Sequence, residues 1–529
     1  MIESAPTDAT IVTESLGGSP LARAAISGTA PHGWYAERPR DAGGWRAHVR
    51  NVAEPSGGHA LEALLPAIDA AGAAADRLER VIREGGVLVT TGQQPGLFGG
   101  PLLTWLKAVS AVALADELET LTGVPTAPLF WAATDDADFE EARGTRIALP
   151  GGARRLESHV VPPTGTPMSG APLGEIGEEL GLLLAASGSA TDRAPLDAVL
   201  EAYAPDATIG GAYVALMRSL LHPLGAGVLD ASHPCVLEAA RPFLRRALDE
   251  ADALSQRVAA RTREIEAAGM TPQVAEVPGL SLVFAYEGAV KRRIGRRETM
   301  VPAGTRLGPT VLLRPVLERV LLPTAAYCAG PGEIAYFAQA GAVAEGLEVP
   351  VPLVVPRWSA TVIEPHVQRM LERIGITRDE LQRAHEVEAR LARAALPSPV
   401  AAGLAGLRDD VERRLAALEI DDTEGLVPSA AVQGTRRALL HRLERLERRF
   451  VASTKRREAA LMHDVATVRG ALHPDGKRQE RALNFVPILA RQGRPLVAAM
   501  QAEARRHARG LLGVDAPSAT AHETGAAAR

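Results

Sequence analysis

Val87-Leu88-Val89-Thr90-Thr91-Gly92-Gln93-Gln94-Pro95-Gly96-Leu97-Phe98-Gly99-Gly100-Pro101-Leu102 is the stretch that decides the fold. Its first half is a short apolar run rich in β-branched residues, the signature of a strand buried on both faces. Gly92, Pro95, Gly96, Gly99 and Gly100 then stop any regular element. Pro101 suits the first turn of a helix, where a missing N–H costs nothing. Leu102, Leu103, Leu106, Val109, Ala113 and Leu118 follow at roughly helical spacing. Strand, glycine-rich turn and helix together can aim backbone N–H groups at an anion. Thr91, Gly92, Gln93, Gln94, Gly96, Gly100 and Pro101 are therefore candidate binding residues. A tight strand-to-helix connection without any ligand is the competing reading.

The next strand shifts the balance. Val124 to Thr134, with Phe130 and Trp131, runs into Asp135-Asp136-Ala137-Asp138-Phe139-Glu140-Glu141. Ligands of open α/β sheets bind at the carboxyl ends of strands. Five carboxylates within seven residues repel one another unless a cation lies among them or water solvates them. Two adjacent strand ends thus outline a pocket with an anion cradle on one lip and acids on the other.

A third strand end repeats the pattern. Leu322-Pro-Thr-Ala-Ala-Tyr327-Cys-Ala-Gly330-Pro-Gly332-Glu333-Ile-Ala-Tyr336 stops at a Gly-Pro-Gly turn and starts a helix with Glu333 in its first turn. The run from Val349 to Val355 reads as another strand, ending at Pro356-Arg357-Trp358-Ser359. Arg357 offers charge to an anion, or pairs with Glu364.

These segments, with Val354-Val-Pro-Arg357-Trp-Ser359 and His473-Pro-Asp-Gly-Lys-Arg-Gln-Glu-Arg-Ala-Leu-Asn484, resemble the bacillithiol biosynthesis cysteine-adding family, BshC. The resemblance spans nearly the whole chain apart from its termini. It implies a Rossmann-like parallel sheet core with inserted connective segments and a C-terminal antiparallel helical coiled coil. It also implies a ligase that joins the carboxyl group of L-cysteine to the amine of glucosaminyl-malate. On that resemblance Gly92, Gln93 and the turn through Gly100 hold phosphate or malate carboxylates. Asp136 and Asp138 bind an ammonium or deprotonate the amine, Glu333 and Tyr336 line the crevice, and Arg357 screens negative charge. Asp135, Trp131, Tyr327, Gly330, Gly332 and Ser359 complete the expected set. One departure stands out: the family's Glu-Asp-His-Asp-Phe is here Asp135-Asp136-Ala137-Asp138-Phe139. The family core is similar to the nucleotide-binding domain of class I aminoacyl-tRNA synthetases, yet neither His-x-Gly-His nor Lys-Met-Ser-Lys-Ser occurs.

Composition narrows the remaining classes. The 529 residues exceed what one core serves, and 46% apolar with 23% charged is a globular balance. A net charge of -5 gives no general attraction to nucleic acid or anionic membrane. Two cysteines, Cys235 and Cys328, form no disulfide framework, so a reducing cytoplasm is expected. No stretch has the apolar length of a signal peptide core or a membrane span. Lysine is scarce: Lys107, Lys291, Lys455 and Lys477 are the four among 58 basic residues.

In chain order, residues 1–30 are expected to be flexible and 31–365 to form the α/β core, with insertions near 150–200 and 270–305. The 66–83 segment reads as a helix. Residues 366–470 carry leucines at spacings of three and four, including Leu404, Leu407, Val411, Leu415, Leu418, Leu439, Leu443 and Leu446. A helical hairpin interrupted at 420–430, acting as a homodimer interface, is the expectation. Residues 471–514 return to the core and 515–529 form a disordered tail.

No Gly-x-Ser-x-Gly, His-Glu-x-x-His, Walker lysine or Gly-x-Gly-x-x-Gly occurs, and no Cys–His pair is evident. No protein-bound metal is expected. Amide formation from a carboxylate needs an activated acyl group and a deprotonated amine. ATP with Mg2+ is therefore expected on chemical grounds rather than from a motif. Another carboxylate-activating amino-group transferase and a non-catalytic coiled-coil dimer scaffold are the alternatives.

Overall fold

The computed structural model describes residues 8–53, 61–298, 301–383 and 385–514. Its strands are β1 (Thr10–Thr13), β2 (Ile68–Asp69), β3 (Val87–Gln93), β4 (Thr126–Ala132), β5 (Gly144–Leu149), β6 (Gly152–Glu157) and β7 (Gly227–Asp230). They continue with β8 (Leu280–Glu287), β9 (Val290–Gly295), β10 (Leu307–Pro309), β11 (Thr324–Ala329), β12 (Val354–Pro356) and β13 (Ala360–Ile363). Six of them build the central sheet in the order β12-β11-β3-β4-β7-β2. All its neighbours are parallel except the two-residue edge strand β2, which runs against β7. The expected α/β architecture is present.

Between β3 and β4 runs the helix Leu102–Thr122. The chain then moves on toward β7, while β11 and β12 lie on the opposite side of β3. The order therefore reverses between β3 and β11, and a crevice opens at their carboxyl ends. The Leu102–Thr122 helix is apolar on nearly every face because it is covered on both sides. The sheet takes one side, and the long C-terminal helix Val486–Leu512 takes another. The helix Pro331–Gly346, after β11, is buried along most of its length in the same way. The alternation and two turn signals from Pro278 to Val301 read as a small hairpin in the sequence, and β8 and β9 form it within a separate three-stranded sheet, β10-β8-β9.

Two compact units result. One holds residues 1–147, 155–362 and 480–529, and the other holds 148–154 and 363–479. In the second unit, helices Ser398–Asp421 and Ser429–Arg457 form the expected hairpin. Glu419 meets Ser429 and Gln433 near the connecting loop, and Arg408 meets Glu447 further along, so the two helices run antiparallel.

Four expectations change. Residues within 8–30 are ordered: β1 pairs with β13, and helix Pro20–Ser27 starts on the Ser19 hydroxyl and ends on a left-handed Gly28. Leu21 and Ala22 are buried against Trp34, Ala335 and Ala338. Residues 1–7 and the predicted tail from 515 lie outside the described residues. The 66–83 helix begins only at Ala73, after a short 3-10 turn and β2. The strand at 349–355 shrinks to Val354–Pro356, because Pro350 and Pro352 have no N–H for a ladder. Leu381, Val387 and Leu391, which mark a single helix in the sequence, are split, since His385 turns the chain at φ 69° between Asp379–Gln382 and Glu386–Ala394.

The decisive turn is held from far along the chain. Phe98, Gly99 and Gly100 have φ of 53°, 85° and 78°, a run that only the glycines adopt without strain. The Asn484 amide nitrogen donates to the carbonyls of Phe98 (2.8 Å) and Gly100 (3.1 Å). Its amide oxygen accepts from Val486 N at 2.9 Å, opening the C-terminal helix. Asn484→Ala strips partners from buried carbonyls and is expected to cost at least ~1–3 kcal/mol. Urea denaturation would register this as a lower midpoint at unchanged slope; an unmoved midpoint would contradict it.

Candidate active site

A cleft of about 760 Å³ opens at the carboxyl ends of the central strands. Gly92, Gln93 and Gln94 reach it from β3, Asp135 to Asp138 from β4, Gly330 to Glu333 from β11 and Arg357 from β12. The β8–β9 hairpin contributes Phe284, Lys291 and Arg293, and Arg314 and Arg481 complete the cationic side.

One wall is a buried charge network. Lys107, almost wholly buried on the Leu102–Thr122 helix, donates to Gly92 O (2.7 Å), Gln93 Oε1 (2.9 Å) and Glu333 Oε2 (2.5 Å). Glu333 Oε2 also accepts from Gly330 N at 2.8 Å, and Oε1 accepts from the Tyr327 hydroxyl at 2.7 Å. Arg314 donates to Tyr327 and Tyr336 hydroxyls, each at 3.1 Å, and pairs with Glu318 at 3.1 Å. Burial works against charge on Glu333, but Lys107, Arg314 and the Gly330 N–H outweigh it and hold the carboxyl below its ordinary range. Burial lowers the Lys107 ammonium, with Glu333 opposing the shift.

The facing wall is acidic. The Gln94 amide nitrogen donates to Asp136 Oδ2, and Asp136 Oδ1 accepts from Asp138 N at 3.1 Å. Asp138 Oδ1 caps the short Phe139–Ala142 turn through Glu141 N at 3.2 Å. Burial raises Asp135 above the ordinary carboxylate range, although Lys291 pulls the other way. Glu141 rises too, from burial first and then from Asp138 and Asp136. Lys291 donates to the Asp135 carbonyl and lies over the Phe284 ring at 4.9 Å.

Asp135, Asp136, Asp138, Trp131, Gly92, Gln93, Gln94, Gly330, Gly332, Glu333, Tyr336 and Arg357 all meet in this cleft. The anion cradle does not. Gly99 N donates to the Tyr203 hydroxyl and Gly100 N to Leu97 O, while Leu102 N at the helix start donates to Leu483 O. Those N–H groups are spent within the protein, and Gly96, Gly100 and Pro101 lie outside the lining. Thr91 is buried, with its hydroxyl on Cys328 O. Ser359 is likewise buried and donates to Glu480. Tyr327 acts through Glu333 rather than lining the cleft itself. Arg357 takes Glu480, not Glu364, as the carboxylate for its two terminal nitrogens, at 2.8 and 2.9 Å. Its Nε alone is buried without a partner.

The sequence reading assigns no role to Lys107 or Arg314, presents Lys291 as part of a solvated basic edge, and shows Glu141 only as one of the acidic run; all four line the cleft. A signal for the lysines existed: two of only four in the chain line one cleft. It also missed a close Cys–His pair. His233 Nδ1 lies 3.0 Å from Cys235 Sγ, but that nitrogen caps the helix Pro234–Asp249, and burial raises the thiol rather than activating it. Cys328 is pushed up to about 12 by burial and is inert. Among the described residues no group of three or more His, Cys, Asp and Glu side chains could hold a metal ion. A second cleft of about 740 Å³ is lined by the 25–40 segment, where the one carboxylate, Glu37, is exposed and paired with His32. The chemistry is concentrated at the strand ends.

The fold and cleft define a Rossmann-like α/β enzyme carrying a helical coiled-coil unit. The family description for the N-terminal Rossmann-like domain of bacillithiol biosynthesis BshC matches residues 32–302 and 297–358, and that for its C-terminal coiled-coil domain matches 360–508. A relative from Koribacter versatilis (strain Ellin345), named "Putative cysteine ligase BshC", is 32% identical over 462 residues, 83% of this chain and 85% of its own. Relatives of the same name from Solibacter usitatus (strain Ellin6076) and Salinibacter ruber (strain DSM 13855 / M31) are 31% and 29% identical. They match over 82% and 76% of this chain, and 86% and 78% of their own lengths. The chain belongs to the BshC family, and its class is that of an amide-forming ligase.

Glu333→Gln leaves Lys107 buried beside a neutral amide, and the expected loss of stability is ~3–5 kcal/mol. Because the Glu333 pKa is depressed in the folded protein, its contribution is complete above the unfolded-state value and vanishes as pH falls through the folded value. Urea titrations should therefore show a gap between wild type and variant that is flat near neutrality and closes in acid. A gap independent of pH would contradict the assignment.

Proposed function

We propose that this protein joins L-cysteine to the amine of glucosaminyl-malate, forming the amide of bacillithiol. The observation that carries the reading is one cleft lined both by Asp136, Asp138 and Glu141 and by Lys291, Arg293, Arg314 and Arg481. Both substrates combine carboxylate and amine, and the two walls complement those charges. The relatives' shared name supports the same substrate.

ATP with Mg2+ is the proposed activating pair: a cysteine carboxylate oxygen would attack phosphorus of ATP, breaking a phosphoanhydride bond and releasing ADP if an acyl phosphate forms or pyrophosphate if an adenylate forms. The cations at the cleft suit phosphate, and a magnesium ion would enter on the nucleotide's own oxygens rather than on a protein cage. The amine nitrogen then attacks the acyl carbon, a C–N bond forms, and the acyl C–O bond to phosphate breaks. Before attack, the ammonium gives up a proton to a carboxylate. Asp136 is the proposed base, anchored by Gln94. Glu141, raised by burial beside Asp138 and Asp136, is matched to hold that proton where the family's histidine is replaced by Ala137.

A homodimer through the coil belongs to the same proposal. Leu407, Leu418, Ile420, Leu439, Leu446 and Phe450 are exposed on the hairpin helices, and Ser398–Asp421 buries none of its residues. A second copy of this seam is the partner that fits. A cytoplasmic location follows from the reduced thiols and the substrate class. No helix among the described residues is long and apolar enough to cross a membrane.

Mass spectrometry of the protein with cysteine and glucosaminyl-malate, with and without ATP and magnesium, tests the activity. The amide product is expected only with ATP, and no product in any mixture would overturn the reading. Asp136→Asn is expected to lower turnover by ~100-fold or more at unchanged melting temperature, and full activity would remove Asp136 from the mechanism. Sedimentation should show a dimer that Leu439→Glu with Leu446→Glu converts to monomer at unchanged helicity; a monomeric wild type would refute the coil interface.

A further inference from the structure

The two adjacent glutamines at the end of β3 are held by opposite charges, and that fixes which end of each amide faces the cleft. Gln93 Oε1 accepts from the Lys107 ammonium, which has no lone pair to offer in return. Its Nε2, with two N–H donors, is the end left for a ligand. Gln94 is reversed. Its Nε2 donates to the Asp136 carboxylate, which has no N–H to give, so its carbonyl oxygen is the end left over. Both residues are half-buried and line the cleft. Among the described residues, neither leftover end has a hydrogen-bond partner. The flanking charges reinforce the arrangement, since an amide bonded to a cation becomes a stronger donor and one bonded to an anion a stronger acceptor.

We infer that Gln93 and Gln94 form a donor–acceptor pair that grips the carboxyl oxygen and amine of one α-amino acid. Gln93 Nε2 donates to the carboxyl oxygen, and Gln94 Oε1 accepts from the amine. An α-amino acid presents both groups from a single carbon, with negative charge toward the Lys107 side and positive charge toward the Asp136 side. After activation the same oxygen is an acyl carbonyl and still an acceptor, so Gln93 also faces the oxygen on which charge develops during attack. The inference rests on the proposed activity for the identity of the amino acid, but not for the polarity of the pair.

Calorimetry on the full chain with three ligands separates the two amides: L-cysteine, cysteamine, which lacks the carboxyl, and 3-mercaptopropionate, which lacks the amine. Wild type should bind L-cysteine roughly tenfold or more tighter than either analogue. Gln93→Glu keeps a partner for Lys107 but replaces the free donor by an acceptor. It should weaken L-cysteine and 3-mercaptopropionate by roughly tenfold and leave cysteamine no weaker. Gln94→Met, checked for an unchanged melting temperature, should weaken L-cysteine and cysteamine and spare 3-mercaptopropionate. Should Gln94→Met not fold, the Gln93→Glu pattern and the wild-type ranking still decide. Equal effects on all three ligands, or none, would overturn the pair while leaving the proposed activity standing. The crossed pattern with serine and its analogues instead would keep the pair and overturn the cysteine assignment. No α-amino acid binding by wild type would overturn both.

Discussion

Lys107 is 3% exposed at the edge of the cleft, and three protein oxygens from two strand ends accept from its ammonium. The residue comes from the helix that follows β3, yet it reaches across the switch point to Glu333 after β11. One ammonium thereby fixes the spacing of the two strands whose divergence creates the cleft. A buried ion contributes little net stability, but it makes every alternative arrangement costly. Glu333, Tyr327, Arg314 and Glu318 extend the constraint as alternating charge and hydroxyl, so no member can shift without stranding its neighbour.

A second set of long-range contacts closes the same wall from behind. The bidentate pair of Arg357 with Glu480, joined by the Ser359 hydroxyl, ties the end of β12 to the segment entering the C-terminal helix. Four residues on, Asn484 holds the strained turn after β3. Residues that the sequence presents as ligand-binding candidates are here the internal fasteners of the scaffold. The cleft keeps a smaller set of groups free, chiefly the glutamines, the acidic run and the cations opposite.

What the sequence showed plainly was local. The buried β3 run, the helix after Pro101, the β8–β9 hairpin and the leucine spacing of the coil each rest on periodicity within a few turns. Ser19-Pro20 and Gly28 bound a helix that the reading of 1–30 as flexible missed, because small polar neighbours surround it. The glycine turn misled because its N–H groups look free until Asn484, 384 residues from Gly100, is brought beside it. Arg357 misled for the same reason, its partner lying 123 residues away. Lys107 was hidden differently: a lone lysine in an apolar helix carries no periodic signal, and only its scarcity marked it.

The division of the core into segments has a consequence for synthesis. The face of helix Leu102–Thr122 that Val486–Leu512 covers is made early, while its cover follows the whole of the inserted 363–479 unit. The roughly 150 residues between the end of β13 and Leu512 take ~8–30 s to translate at ~5–20 residues/s. For that interval a nascent chain displays an apolar helix face and an unfastened turn on the ribosome. The hairpin, built from contacts near in sequence, can form meanwhile. Chaperone demand during translation is thus written into the order in which the chain delivers its parts.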